Sequence, residues 1–147
     1  MSLYEVAIHT DGACSHNGSE TAVGGWCAIL RCKGKERVLR GYESHTTNNR
    51  MELRAVIEGV KALKKPSAIS VYTDSQYVCQ GAASMRLWLQ HPNHGHANMD
   101  MWRELIAAGR NGGHKITFHK VTGHSGNLMN ERCDAIARQQ SVKGAIR

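Results

Sequence analysis

The feature that most constrains the fold is a strand that runs straight into a helix. In Ile69-Ser70-Val71-Tyr72-Thr73-Asp74-Ser75-Gln76-Tyr77-Val78, three residues (Ile69, Val71 and Thr73) alternate with Ser70 and Tyr72, the period of a half-buried strand. Ser75 then offers a helix N-cap, and Tyr77, Val78 and Gly81 follow it. Asp74 stands at the carboxyl end of the strand, where α/β sheets bind ligands. Taken alone, it is equally an acid that shapes a turn.

The rest of the chain arranges itself around that unit. Residues 4–11 set Tyr4, Val6, Ile8 and Thr10 against Glu5, Ala7, His9 and Asp11, a first strand whose regular pattern ends at Asp11-Gly12. A polar loop covers 15–21. Residues 22–32 and 36–45 read as two strands joined at Lys33-Gly34-Lys35, and Gly24-Gly25 marks a bulge or a close backbone approach. Asn48 or Asn49 caps a helix reaching about Lys65, with Leu53, Val56, Ile57, Val60 and Leu63 as its apolar stripe and Pro66 as its stop. Residues 82–98 are harder to read: Met85, Leu87, Trp88 and Leu89 suggest a helix or its end, and His91 to His96 a loop. A helix from about Asp100 to Arg110, closed by Asn111-Gly112-Gly113, precedes a strand over 114–121, a Gly-rich loop, and a last helix from about Leu128 to Val142. This order predicts an α/β fold with a mixed five-stranded sheet and helices on its faces, in a single domain over 1–147.

Composition narrows the function. No apolar run approaches the roughly 18 residues of a membrane span, and Met1-Ser2-Leu3-Tyr4-Glu5 does not open a signal peptide. The five cysteines are odd in number and contain no C-x-x-C, which predicts free thiols in a reducing compartment and a cytoplasmic protein. Cys27 and Cys32, an odd count apart, face opposite ways if they share a strand. The net charge of +7 favours an anionic partner, most simply nucleic acid, although it also serves solubility.

Four acids fall at element ends or on early helical turns: Asp11, Glu52, Asp74 and Asp134. Parallel placement of the first and fourth strands brings Asp11 and Asp74 together. Separately, Glu52 reads as the partner of Asn49 in a capping box and Asp134 as a solvated helix acid. Together they are costly, because gathered carboxylates repel one another and require protons or cations. Mg²⁺ takes oxygen ligands and shares its shell with phosphate, and two such ions activate water and stabilise a leaving oxygen. An acidic pocket in a basic protein suits a phosphodiesterase acting on nucleic acid.

At these residues the chain resembles the bacterial type I ribonuclease H family over nearly its full length. The resemblance is carried by Thr10-Asp11-Gly12-Ala13-Cys14, by Thr46-Thr47-Asn48-Asn49-Arg50-Met51-Glu52-Leu53, by Thr73-Asp74-Ser75-Gln76-Tyr77-Val78, and by Gly123-His124 through Asn130-Glu131-Arg132-Cys133-Asp134. It implies a ribonuclease H-like fold and an endonuclease, for which a monomer is the default expectation. Such an enzyme cuts the RNA strand of RNA–DNA hybrids and leaves 5′-phosphate and 3′-hydroxyl ends. It implies that Asp11, Glu52, Asp74 and Asp134 hold two Mg²⁺, with Mn²⁺ as a substitute, one ion helping to activate water and the other stabilising the departing 3′ oxygen. His124 matches the family's loop histidine, thought to carry protons and assist product release. Asn17, Asn48 and Gln76 match positions that meet the hybrid's minor groove, where a 2′-hydroxyl marks RNA. Thr47 matches a position on a DNA-strand phosphate, and both Thr47 and Asn48 also read as helix caps.

The chain departs from the family in two places. The loop after Cys14 lacks the usual Asn-Pro-Gly run. Residues 82–98 carry Arg86 as their fixed cation, where family members often have a Lys-rich protrusion, and offer Trp88, His91, His94 and His96 instead. Those histidines read as a solvated loop, a metal site, or a pH-dependent phosphate grip. The other strand histidines, His9 and His119, read as structural. Two further function classes fit parts of the chain. A non-catalytic hybrid-binding module would not need all four acids. A DNA nuclease of related fold, such as a junction resolvase or integrase core, fits poorly with the Thr46–Glu52 run and the Gly123-His124 loop.

Overall fold

A computed structural model of the chain describes residues 3–90, 97–122 and 127–146, apart from the side chains at 86 and 88–90. The elements are β1 (Tyr4–Ser15), β2 (Val23–Cys32), β3 (Lys35–Ser44), α1 (Asn48–Lys61), β4 (Ser67–Thr73), α2 (Gln76–Gln90), α3 (Met99–Asn111), β5 (Lys115–Lys120) and α4 (Leu128–Ala145). The strands lie in the order β3-β2-β1-β4-β5. The first three are antiparallel neighbours, whereas β4 runs parallel to both β1 and β5. A parallel pair needs a long crossover, and α1 supplies the one from the hairpin strands to β4. This is the mixed five-stranded α/β sheet that the sequence order predicts.

Strand alternation decides what each face carries. Val6 and Ile8 of β1, Ala28 and Leu30 of β2, and Ile69 and Val71 of β4 bury against Leu53, Val56, Ile57 and Val60 of α1, with Trp102 and Leu105 of α3 beyond. The opposite face has a smaller cluster, Cys27 and Ile29 against Cys133 and Ala137 of α4. Gly25 makes that docking possible, since a Cβ there would sit 2.5 Å from Ser141 N and would also collide with the Ala137 carbonyl. The β1–β2 register runs through it unbroken, so Gly24-Gly25 marks a close approach and not a bulge. Cys133 Sγ donates to the His9 and Cys27 carbonyls at 3.3 Å, and Ser141 Oγ to the Val23 carbonyl at 2.8 Å. Cys27 and Cys32 serve opposite clusters as their spacing requires, and all five cysteines are free.

Three boundaries differ from expectation. β1 continues past Asp11-Gly12 to Ser15, because Gly12 pairs with Trp26 and the ladder runs on to Ser15 and Val23; the polarity pattern breaks there but the backbone does not. α1 stops at Lys61, ahead of Pro66, and Leu63 turns back onto the core. Met85 to Leu89, read as a helix or its end, are the last turns of α2, which runs to Gln90. Gly81, Ala82 and Ala83 give it no apolar stripe to read, and the bulk comes from α3, whose Trp102 Nε1 donates to Tyr77 Oη at 3.1 Å. α4 also extends three residues beyond the expected Val142. No described helix is long and apolar enough to cross a membrane. His91, His94, His96 and His124 lie outside the described residues.

Candidate active site

The parallel register pairs His9 with Tyr72, so Asp11 and Asp74, each two residues further on, leave neighbouring strands side by side. Asp74 sits at a sharp corner. Thr73 Oγ1 accepts from Ser75 N at 3.0 Å, and Ser75 Oγ accepts from Val78 N at 3.1 Å, which opens α2 at once. Glu52 comes from the start of α1. The N-cap of that helix is Thr47, whose hydroxyl accepts from Arg50 N at 3.2 Å. Glu52 is therefore too far along to serve a capping box, and its carboxyl turns toward β1. Gly12 lets the two elements close, because a Cβ there would lie 2.5 Å from Glu52 N.

One carboxylate oxygen from each of Asp11, Glu52 and Asp74 lies within 4.8 Å of the other two. The Gly12 N–H donates to Asp11 Oδ1 at 2.9 Å and to Glu52 Oε1 at 3.1 Å, holding the pair at fixed separation. Asp11 is 3% exposed and Glu52 6%. Their second oxygens, Asp11 Oδ2 and Glu52 Oε2, are buried with no hydrogen-bond donor among the described residues. A buried polar atom left so costs about 1–3 kcal/mol. Burial pushes the Asp11 carboxyl up to about 7, with the Asp74 and Asp134 charges adding to the rise and the hydrogen bonds opposing it. Burial, followed by the Asp11 charge, pushes Glu52 well above the usual carboxylate range. The pair keeps a proton at neutral pH unless a cation replaces it. Orphaned oxygens on converging hard ligands are what a divalent cation such as Mg²⁺ fits.

Asp134 stands outside this trio. It lines the same open hollow, of about 710 Å³, but its carboxylate pairs with Arg138, Nε to Oδ2 at 3.1 Å. Asn48 and Gln76 also line the hollow, whereas Asn17 and Thr47 do not. Asn17 instead accepts from the Asn48 backbone N–H at 2.7 Å, tying the polar loop to the start of α1. Sequence reasoning missed Gly12 as the donor shared by both carboxyls, and it missed Arg138. The i, i+4 spacing of Asp134 and Arg138 was the available signal for the latter. The signal for Gly12 was absent, since a glycine after an acid reads as a turn.

The family model for RNase H matches residues 4–142. The chain is 47% identical to a ribonuclease H of Caldicellulosiruptor saccharolyticus over 92% of its own length and 95% of the relative's. It is 42% identical to a ribonuclease HI of Campylobacter jejuni, covering 96% and 94%. Among solved structures, LC9-RNase H1, a type 1 RNase H with the type 2 active-site motif, superposes with a TM-score of 0.87 at 27% identity, over 98% of this chain and 75% of that one. LC11-RNase H1, solved in complex with an RNA/DNA hybrid, shares the fold with a TM-score of 0.72 at 16% identity, over 94% and 97%. A sheet that gathers Asp11, Glu52 and Asp74 at its centre, matched along its length by these relatives, belongs to the ribonuclease H family.

Proposed function

We propose that this protein is an endonuclease that hydrolyses the RNA strand of RNA–DNA hybrids with two bound divalent cations, Mg²⁺ or Mn²⁺. The observation that carries this reading is the buried pair of orphaned oxygens, Asp11 Oδ2 and Glu52 Oε2, facing Asp74 in an open hollow. When bound there, the cations supply positive charge for the attacking water and for the departing 3′ oxygen, which leaves 5′-phosphate and 3′-hydroxyl ends.

The chain's own residues do the rest. Asp11, Glu52 and Asp74 offer oxygen ligands from three different elements, so the site is as rigid as the sheet and α1. Asp134 completes the ligand set by exchanging its Arg138 partner for a cation. Asn48 and Gln76, on the hollow's wall, meet the minor groove and sense the 2′-hydroxyl. Thr47 and Asn17 support them, one as the helix cap beside a DNA-strand phosphate and the other by fixing the Asn48 backbone. His124 carries protons at its imidazole and assists product release. The surplus of positive charge holds the phosphate backbones.

The test incubates the protein with matched RNA–DNA hybrid, duplex DNA and duplex RNA, each with Mg²⁺ or with chelator. The expected result is cleavage of the RNA strand of the hybrid alone, only with Mg²⁺, and its loss in Asp74→Asn. Cleavage of duplex DNA, or hybrid cleavage that survives chelation or Asp74→Asn, refutes the reading.

A further inference from the structure

Among the described residues, the face of the sheet that carries α4 is only half covered. α4 packs on β1, β2 and β3. On the β4–β5 side of that face, Lys115, Thr117 and His119 are exposed. Here the strands place three rings in one row. His9 pairs with Tyr72, and Tyr72 with His119. The His9 and Tyr72 rings stack with centroids 5.0 Å apart and planes 17° apart, and those of Tyr72 and His119 at 5.0 Å and 19°. The rings therefore stand upright, face to face, as a column running across the strands. Its inner end meets the half covered by α4. Its outer end is His119, an exposed residue on the last strand of the sheet.

This column lies one step from the acids. His9 and Asp11 are two residues apart on β1 and so point the same way, and Tyr72 stands two residues before Asp74 at the corner that ends β4. Two residues of strand span about 7 Å, and two ring-to-ring steps of 5.0 Å carry the open end further across the strands, so it lies a few extended nucleotides from the acids. We propose that the open end of the His9–Tyr72–His119 column is a stacking site for an unpaired base of the RNA strand, where that strand leaves the hybrid beside the acids. This rests on the hybrid reading above and extends it to substrates with single-stranded ends.

Charge and shape favour a nucleotide there. Arg31 and Lys33 line the adjoining hollow of about 540 Å³, and Lys115 stands in the same face on β5. Of the nearby acids, Glu36 pairs with Arg132 at 2.7 Å and with Arg31 at 3.9 Å, and Glu5 lines the same hollow. The residues between, Ala7, Ala68, Ser70 and Thr117, are small, so the rings stand clear of their surroundings. They also leave too little apolar bulk to anchor a protein partner. Stacking is the sequence-tolerant way that proteins hold single strands, because every base has a π-face.

The test measures binding by fluorescence anisotropy at low salt with chelator, so that nothing is cut. It compares a blunt hybrid with hybrids bearing a short 5′ RNA, 3′ RNA or DNA overhang. One stacked base tightens binding about five- to ten-fold. That gain is expected for at least one RNA overhang, lost in His119→Ala and kept in His119→Phe, with blunt-hybrid binding unchanged in both variants. The proposal is overturned if overhangs give no gain, if only DNA overhangs do, if His119→Ala keeps the gain, or if His119→Phe loses it. Concentration-dependent self-association abolished by His119→Ala also overturns it, because the face then binds a second copy. Cleavage of the blunt hybrid by the unaltered protein is read separately. If that cleavage is present and the overhang gain absent, the stacking site falls while the ribonuclease reading stands. If no hybrid is cut, both fall.

Discussion

Replacing Asp11 with Asn should stabilise the metal-free protein, and the effect should depend on pH. Burial chiefly raises the Asp11 carboxyl from 3.8 to about 7. The folded chain therefore holds a proton that the unfolded chain releases above about pH 4. Stability falls as pH rises from about 4 to about 7, and the full penalty stands above that window. The gap of about three, at 1.36 kcal/mol for each, sets a ceiling of about 4 kcal/mol. Turning of the carboxylate toward the hollow and entry of water relieve part of it, so about 2 kcal/mol is the expected gain at about pH 8. In a chain of 147 residues that raises Tm by about 4–8 °C. The Asn also removes the charge that lifts Glu52. Differential scanning calorimetry with chelator at about pH 4 and about pH 8 reads both ends of the window. Added Mg²⁺ should raise the Tm of the unaltered protein by mass action and that of Asp11→Asn far less. The reasoning fails if Asp11→Asn is no more stable at the higher pH, or if its gain is the same at both.

Gly25→Ala should destabilise the fold by about 1–3 kcal/mol and weaken Mg²⁺ binding, because the added methyl pushes α4 off β2 and carries Asp134 with it; denaturant melts and metal titration check this. Arg138→Gln should lower the Mg²⁺ concentration for half-maximal cleavage while changing stability by no more than about 0.5 kcal/mol, since the exposed pair it breaks competes with the cation. His124→Ala should lower kcat with little change in KM, read from steady-state kinetics on the hybrid. Hybrid affinity should fall with salt on a log–log plot, with a smaller slope where a Lys or Arg that meets a phosphate is replaced.

The residues whose chemistry is periodic or positional were readable from the chain. Val6, Ile8 and Thr10 alternate because one face of β1 is buried, and Leu53, Val56, Ile57 and Val60 recur because one stripe of α1 is. The convergence of Asp11 and Asp74 followed from treating two acid-ended strands as parallel neighbours. Glu52 was harder, since its capping-box reading with Asn49 was physically sound, and only the shift of the N-cap to Thr47 removes it. What sequence could not carry was anything decided by a partner distant in the chain. Gly12 looked like a turn because its role is set by the Glu52 backbone. The later part of α2 was hard to read because its packing partner at Gly81 is a tryptophan on α3. His9, Tyr72 and His119 are spread over three strands, and only the register makes them a column.

The most direct test of the account is the anomalous difference density of Mn²⁺ in crystals of the protein with a hybrid. Two peaks should stand in the hollow, ligated by oxygens of Asp11, Glu52 and Asp74, with Asp134 released from Arg138 onto one of them. Density at the hybrid's phosphates alone, with those three carboxylates bare, would contradict the claim that this buried acid cluster exists to hold the cations that cut RNA.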